Sequence, residues 1–315
     1  MLGKVAQKFL NHTCIRIADP ARSLAFYEKN FGMKLVTQLD VKEVGFTLYY
    51  LGFTGPKSLY KDTPWYKRGG LLELTHNHGA TPENFEANNG NKEPHRGFGH
   101  ICFSVSDLEK TCEKLEGNGV GFQKRLTDGR QKNIAFALDP DGYWIELIRN
   151  GNEGAESPET CTTRFNHSMI RVKDKDAALD FYTNKLGMTL VDTSDFPEAK
   201  FTLFFLSFDP TSVKERSRGG TEGLIELTYN YGSEQDVNLH YHNGNTDPQG
   251  FGHFGVTVPD AKAFLSELES KGVRVTKQLT EGKMKFMGFV SDPDGYLIEV
   301  LPQRDFPKDL FSPSL

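Results

Sequence analysis

Asp139-Pro140-Asp141-Gly142-Tyr143-Trp144-Ile145-Glu146 returns as Asp292-Pro293-Asp294-Gly295-Tyr296-Leu297-Ile298-Glu299, 153 residues further along the chain. In both copies a turn signal of Asp, Pro and Gly feeds an apolar run that carries one acid. Leu72-Glu73-Leu74-Thr75 likewise returns as Ile225-Glu226-Leu227-Thr228, and Gly97-Phe98-Gly99-His100 as Gly250-Phe251-Gly252-His253, both at the same offset. Asn11-His12-Thr13-Cys14-Ile15-Arg16 returns as Asn166-His167-Ser168-Met169-Ile170-Arg171 at an offset of 155, so one small length change lies early in the repeat. A chain of 315 residues has room for two globular units. The expected division is a first repeat at 1–150, a Gly/Glu/Ser/Thr-rich linker at 151–162 and a second repeat at 163–315.

Each half divides again, running from a His-bearing apolar strand through a helix to a Glu-bearing apolar strand. The intervals are 61 residues (His12 to Glu73), 46 (His100 to Glu146), 59 (His167 to Glu226) and 46 (His253 to Glu299). Helices are expected at 23–30 and 177–184, ending at Gly32 and Gly187. Another is expected from Ser106-Asp107-Leu108-Glu109, read as a Ser cap with Glu three residues later, followed by the stripe Leu108, Cys112, Leu115. Its counterpart carries Phe264, Leu265 and Leu268. Strands at 34–39, 44–51 and 71–75 complete the first module. The expected class is therefore α+β: four βαβββ modules from an internal tandem duplication. Loops are expected at 52–70, 79–96, 207–223 and 232–249.

The net charge of −5 is spread over mixed signs with no basic block, which argues against nucleic acid or an anionic membrane as partner. No apolar run approaches the roughly 18 to 20 residues of a membrane span, and the start carries no signal-peptide hydrophobic region. Cys14, Cys102, Cys112 and Cys161 show no CxxC spacing and read as reduced core thiols of a cytoplasmic protein. Asn11-His12-Thr13 and Asn166-His167-Ser168 match the glycosylation sequon; without a secretion signal the match is read as coincidence.

Both halves keep the order His, Glu, His, Glu. Strand side chains alternate between faces, and Glu146 shares its face with Trp144 and Ile148 while Tyr143, Ile145 and Leu147 occupy the other. Two apolar faces mean a covered strand and a carboxylate at least partly buried. Glu299, Glu73 and Glu226 sit in similar settings. A buried unpaired carboxylate costs several kcal/mol or takes up a proton. A divalent cation answers all four at once. Two imidazoles with two carboxylates suit Zn2+, and also Ni2+ or Co2+. The two acids cancel the charge, and the absence of Cys ligands favours a site open to water or substrate oxygens. His76, His78, His95, His240 and His242 do not recur as matched pairs and read as surface residues or outer neighbours. The spacing alone allows the ligands to pair within each half or across the halves.

The motifs N-H-[TS]-x-I-R, F-Y-x-x-x-x-G-M, [LI]-E-L-T-x-N, G-F-G-H and D-P-D-G-Y-x-I-E occur twice. Together the chain resembles the glyoxalase I (lactoylglutathione lyase) family of the vicinal-oxygen-chelate superfamily, in its fused, double-length fungal form, over about residues 9–149 and 163–303. The resemblance implies that βαβββ modules pair into open barrel-like sheets around a metal. His12 and Glu73 would join His253 and Glu299 (site one), and His167 and Glu226 would join His100 and Glu146 (site two). It implies isomerisation of the glutathione–methylglyoxal hemithioacetal to S-D-lactoylglutathione. A divalent ion, Zn2+ first, would stabilise an enediolate while Glu299 or Glu146 carries the proton, with Glu73 or Glu226 serving the opposite substrate face. Glutathione's carboxylates would be held by Arg16, Asn77 and Lys277 in site one, and by Arg171, Asn230, Lys124 and Arg96 in site two. Gln249 stands where Arg96 recurs, and Met284 stands opposite Gln131, so the sites are not copies. A monomer with two metal ions and two active sites between the repeats is expected. The rivals are an Fe(II) extradiol-type dioxygenase, a metal epimerase acting on a thioester, and a metal-free drug-binding resistance protein. The second Glu in each set speaks against the dioxygenase, the paired glutathione-type cations against the epimerase, and retention of all eight ligands against the drug binder.

Overall fold

The computed structural model describes residues 7–129, 131–151 and 162–306. Most of the expected linker and Cys161 thus lie outside the described residues. The first module comprises β1 (Phe9–Arg16), α1 (Pro20–Phe31), β2 (Lys34–Val41), β3 (Phe46–Gly52) and β4 (Leu71–Asn77). The second comprises β5 (Phe98–Val105), α2 (Leu108–Gly117), β6 (Phe122–Lys124), β7 (Ala135–Leu138) and β8 (Trp144–Arg149). The third runs through β9 (Arg164–Val172), α3 (Lys175–Leu179), β10 (Thr189–Phe196), β11 (Phe201–Ser207), a short α4 (Pro210–Arg216) and β12 (Leu224–Asn230). The last contains β13 (Phe251–Val258), α5 (Ala261–Ser270), β14 (Arg274–Lys277), β15 (Gly288–Ser291) and β16 (Leu297–Pro302).

The fold is α+β, with two open eight-stranded sheets among the described residues, and neither sheet belongs to one half. One has the order β14-β15-β16-β13-β1-β4-β3-β2, and the other β10-β11-β12-β9-β5-β8-β7-β6. The seams are the antiparallel pairs β1–β13 and β5–β9. Repeat-equivalent residues meet where the halves cross. Phe98 stacks on Phe251 with centroids 5.0 Å apart, and the Thr13 and Ser168 hydroxyls lie 2.8 Å apart. Such self-contacts mark an approximate two-fold axis.

Helices tie the modules together within a half. Asp139 accepts from the backbone N–H groups of Asp141 and Tyr143, and the Tyr27 hydroxyl of α1 donates to its other oxygen at 2.9 Å. Asp292 and Tyr182 repeat this bond at 3.0 Å. Gly32 ends α1 at φ 76°, a conformation that glycine adopts without a Cβ penalty. The apolar stripes of α2 and α5 are buried as the periodicity requires.

Three local expectations shift. The cap of α2 is Asp107, whose carboxylate accepts from the Lys110 N–H at 3.0 Å; Ser106 lies one residue outside, buried. A carboxylate directly before the first helical residue wins over a hydroxyl one place earlier. The helix expected at 177–184 starts at Lys175 under an Asp174 cap and continues to Lys185 as a π-helical turn. The loop at 207–223 holds α4, started by Asp209 with Pro210 at its first position.

Separating the halves leaves β1, β5, β9 and β13 without their seam partners. Fragments 1–150 and 163–315, produced alone, are expected to self-pair or aggregate and, when mixed, to form a one-to-one complex on size-exclusion chromatography. A folded, monodisperse monomer of either fragment would contradict the seam's role.

Candidate metal centre

Four neighbouring strands of each sheet contribute one side chain apiece. Along β16-β13-β1-β4 these are Glu299, His253, His12 and Glu73, and along β12-β9-β5-β8 they are Glu226, His167, His100 and Glu146. In each set one ligand atom per residue lies within 4.8 Å of all the others. His12 Nε2 is 3.2 Å from Glu73 Oε2 and 3.3 Å from Glu299 Oε2; His253 Nε2 lies 3.7 and 3.6 Å from the same atoms. His167 Nε2 is 3.2 Å from Glu146 and 3.0 Å from Glu226, with His100 at 3.6 and 3.9 Å. Around an ion with bonds of about 2.1 Å, ligand–ligand edges of roughly 3 to 3.5 Å are expected. The structure brings together both sets across the halves, an arrangement that spacing had left open.

Two asparagines decide what the imidazoles present. Asn11 Nδ2 donates to the carbonyls of Trp65 and Arg68 at 2.7 and 2.9 Å, which orients its Oδ1 to accept from His12 Nδ1 at 2.8 Å. Asn166 does the same, donating to Arg218 and Thr221 and accepting from His167 Nδ1 at 2.7 Å. With the proton on Nδ1, Nε2 points its lone pair into the cluster. The Oε2 atoms of Glu73 and Glu299 are buried there without a hydrogen-bond partner, while Thr75 donates to Glu73 Oε1 at 2.8 Å. Acceptors converging in a dry site fit a bound cation. Both asparagines are fully buried, which rules out glycosylation of the fold. In the sequence they stand out only as sequons; their signal is an Asn directly before a ligand-type His in both repeats.

Electrostatics agree. Burial pushes Glu73, Glu146 and Glu299 upward, but the facing imidazoles outweigh it and hold all three below the ordinary carboxylate range. Burial opposes charge on His167, yet its bonds to Glu146 and Glu226 bring it up to about 9.

A cavity of about 660 Å³ opens over site one, lined by Glu73, His253 and Glu299 together with Arg16, Asn77 and Lys277. Residues 9–147 and 164–300 match the family described as Glyoxalase/Bleomycin resistance protein/Dioxygenase superfamily. The chain belongs to this glyoxalase superfamily. It is 50% identical over 301 residues to "Glyoxalase I" of Saccharomyces cerevisiae, covering 93% of this chain and 92% of that one. It is 46% identical to "Lactoylglutathione lyase" of Schizosaccharomyces pombe, covering 94% and 96%. The crystal structure of glyoxalase I from Zea mays superposes with a TM-score of 0.71 at 27% identity, covering 96% and 95%.

The glyoxalase-type polar residues are already engaged. Arg16 donates to the carbonyls of Gly244 and Phe251, each at 3.0 Å, and to Asn245 Oδ1 at 2.8 Å. Arg171 repeats this on Gly90, Phe98 and Asn91. Asn77 faces Gln249 at 3.4 Å, and Asn230 donates to the Tyr241 hydroxyl. Arg96 reaches Glu93 at 3.3 Å. Lys277 and Lys124 donate to backbone carbonyls, so clamping a loop is a task for each that the sequence did not reveal.

Asn11→Leu removes the acceptor for His12 and strands two carbonyls. Zinc affinity of site one is expected to fall about 10- to 100-fold in chelator competition. Asn11→Asp, which keeps the acceptor, should lose less. In chelator-treated protein the raised His167 contributes stability that is complete below its unfolded value of 6.5 and is lost as pH rises towards about 9. The melting temperature should decline across that window, and restoring the metal should flatten the decline.

Proposed function

We propose that the chain isomerises the hemithioacetal of glutathione and methylglyoxal to S-D-lactoylglutathione, a carbon–sulfur lyase reaction of methylglyoxal detoxification. One observation carries this reading: the His12–Glu73–His253–Glu299 cluster is buried, has carboxylate oxygens without donors, and opens on a cavity that also bears Arg16, Asn77 and Lys277. The two relatives at 46 and 50% identity, named lactoylglutathione lyase and glyoxalase I, support it over nearly the whole chain.

Zn2+ is the proposed resident ion, with Ni2+ or Co2+ as alternatives, because the donor set suits all three. When bound, the ion supplies Lewis-acid stabilisation of the negative charge that develops on two adjacent substrate oxygens. Glu299 in site one and Glu146 in site two act as general bases, moving the proton between adjacent carbons. Both begin as carboxylates, because the imidazoles beside them outweigh burial. Glu73 and Glu226 lie across their clusters and serve the opposite substrate face. Arg16, Asn77 and Lys277 position the glutathione carboxylates in site one; Arg171, Asn230, Arg96 and Lys124 do so in site two. The repeats divide at 1–150 and 163–315, and the chain acts as a cytoplasmic monomer, since it already contains the seams its single-length relatives would form by pairing.

The test follows thioester formation from glutathione plus methylglyoxal, with and without chelator, beside metal analysis. Two ions per chain, one for each cluster, and chelator-sensitive activity are expected. Glu146→Gln and Glu299→Gln should each silence one site and leave unequal residual rates, whereas the double variant should fall about 10²- to 10⁴-fold. Metal-loaded protein that forms no thioester would overturn the reading.

A further inference from the structure

Lys277 donates to the carbonyls of Met284 and Met287 at 2.9 and 2.6 Å. Lys124 makes the matching bonds to Gln131 and Ile134, both at 2.7 Å. The backbone is therefore clamped at repeat-equivalent points, Met284 and Met287 in one half and Gln131 and Ile134 in the other. Their side chains diverge. Met284, Phe286 and Met287 are buried in an apolar cluster with Leu48, Tyr50 and Trp65. At the matching positions Gln131 and Asn133 are polar and exposed, while Ile134, the counterpart of Met287, is half-buried. The cluster's own base changes too: Tyr50 and Trp65 lie 5.4 Å apart, whereas their counterparts are Phe205 and Arg218, with the guanidinium 3.8 Å above the ring.

The wall reaches the metal ligands. Phe289 pairs with Glu299 across β15–β16, and its ring lies 5.4 Å from that of His253. Leu297, two residues before Glu299, lines the same cavity with Met284 and Met287. In site two Trp144 stands where Leu297 stands in site one, its ring 5.6 Å from that of Phe136, the counterpart of Phe289. In the proposed reaction glutathione's carboxylates are held by Arg16 and Asn77, with Lys277 at the backbone of Met284 and Met287. That reaction leaves the apolar lining beside Glu299, made by Met284, Met287 and Leu297, for the substituent that the aldehyde brings. Methionine adapts to irregular apolar shapes.

Resting on the proposed reaction at both clusters, we propose that the two sites divide the substrates. Site one, walled by Met284, Met287 and Leu297, takes 2-oxoaldehydes with large apolar or aromatic substituents, while site two, with Trp144 for Leu297 and polar Gln131 and Asn133 for Met284 and Phe286, is confined to small ones. Met284, Met287, Leu297 and Trp144 set specificity.

Glu146→Gln isolates site one and Glu299→Gln isolates site two. For each, kcat/KM is measured with the glutathione hemithioacetals of phenylglyoxal and methylglyoxal. The phenylglyoxal-to-methylglyoxal ratio should be about tenfold or more higher in Glu146→Gln. Adding Met284→Gln and Leu297→Trp to Glu146→Gln should collapse that ratio, and adding Trp144→Leu to Glu299→Gln should raise it. Equal or reversed ratios, with methylglyoxal turned over in both variants, overturn the division and leave the lyase reading intact. A Glu299→Gln chain inactive on methylglyoxal also overturns it. If the unsubstituted chain forms no thioester from either aldehyde, the lyase reading itself fails.

Discussion

Glu73 Oε2 and Glu299 Oε2 lie buried against two imidazole nitrogens, with no donor of their own. Lone pairs converging in a dry space repel one another, and only a cation or a proton at their centre relieves this. Each strand contributes one side chain to the cluster, so the arrangement demands that β16, β13, β1 and β4 hold their register. A slip of one residue would turn a ligand to the other face of the sheet. The asparagine clamps extend the demand outward. Asn11 couples the His12 ring to the backbone at Trp65 and Arg68, and Asn166 couples His167 to Arg218 and Thr221. Gly255 belongs to the same constraint, since a Cβ there would fall 1.9 Å from the His12 ring.

The duplicated chain satisfies this demand by crossing over. Sheets join modules of different halves, while the Tyr27–Asp139 and Tyr182–Asp292 bonds join modules of the same half. The two kinds of link run in different directions, so no cut at the repeat boundary leaves an intact centre. Near the axis, where Phe98 meets Phe251, the halves remain alike. Farther out, at the lysine-clamped backbone where Met284 stands in one half and Gln131 in the other, they differ.

Much of this was legible locally. Gly32 at a positive φ, the buried stripe Leu108–Cys112–Leu115 and the Asp-Pro-Asp-Gly turns are short-range features whose side chains meet their own neighbours. The misreadings have local causes too. At α2 two capping residues stand side by side, and the choice of Asp107 over Ser106 depends on where the first helical turn begins. Lys277 and Lys124 show a task that no local pattern displays: beside the carboxylate-binding role proposed for them, their ammonium groups hold loop carbonyls ten residues away, at Met287 and Ile134.

The sequence by itself determined four strand–helix–strand modules and the ligand types on their strands. Alternation along a strand and the pairing of turn residues act over a few positions, and the repeat displayed each signal more than once. Tertiary structure alone decided which His meets which Glu, which imidazole nitrogen faces the cluster, and that Met284, Phe286 and Met287 pack against Tyr50 and Trp65. His12 and His253, whose Nε2 atoms lie 3.2 Å apart, are separated by 241 residues of chain. No periodicity spans such a distance; it is the antiparallel seam of β1 with β13 that brings them together.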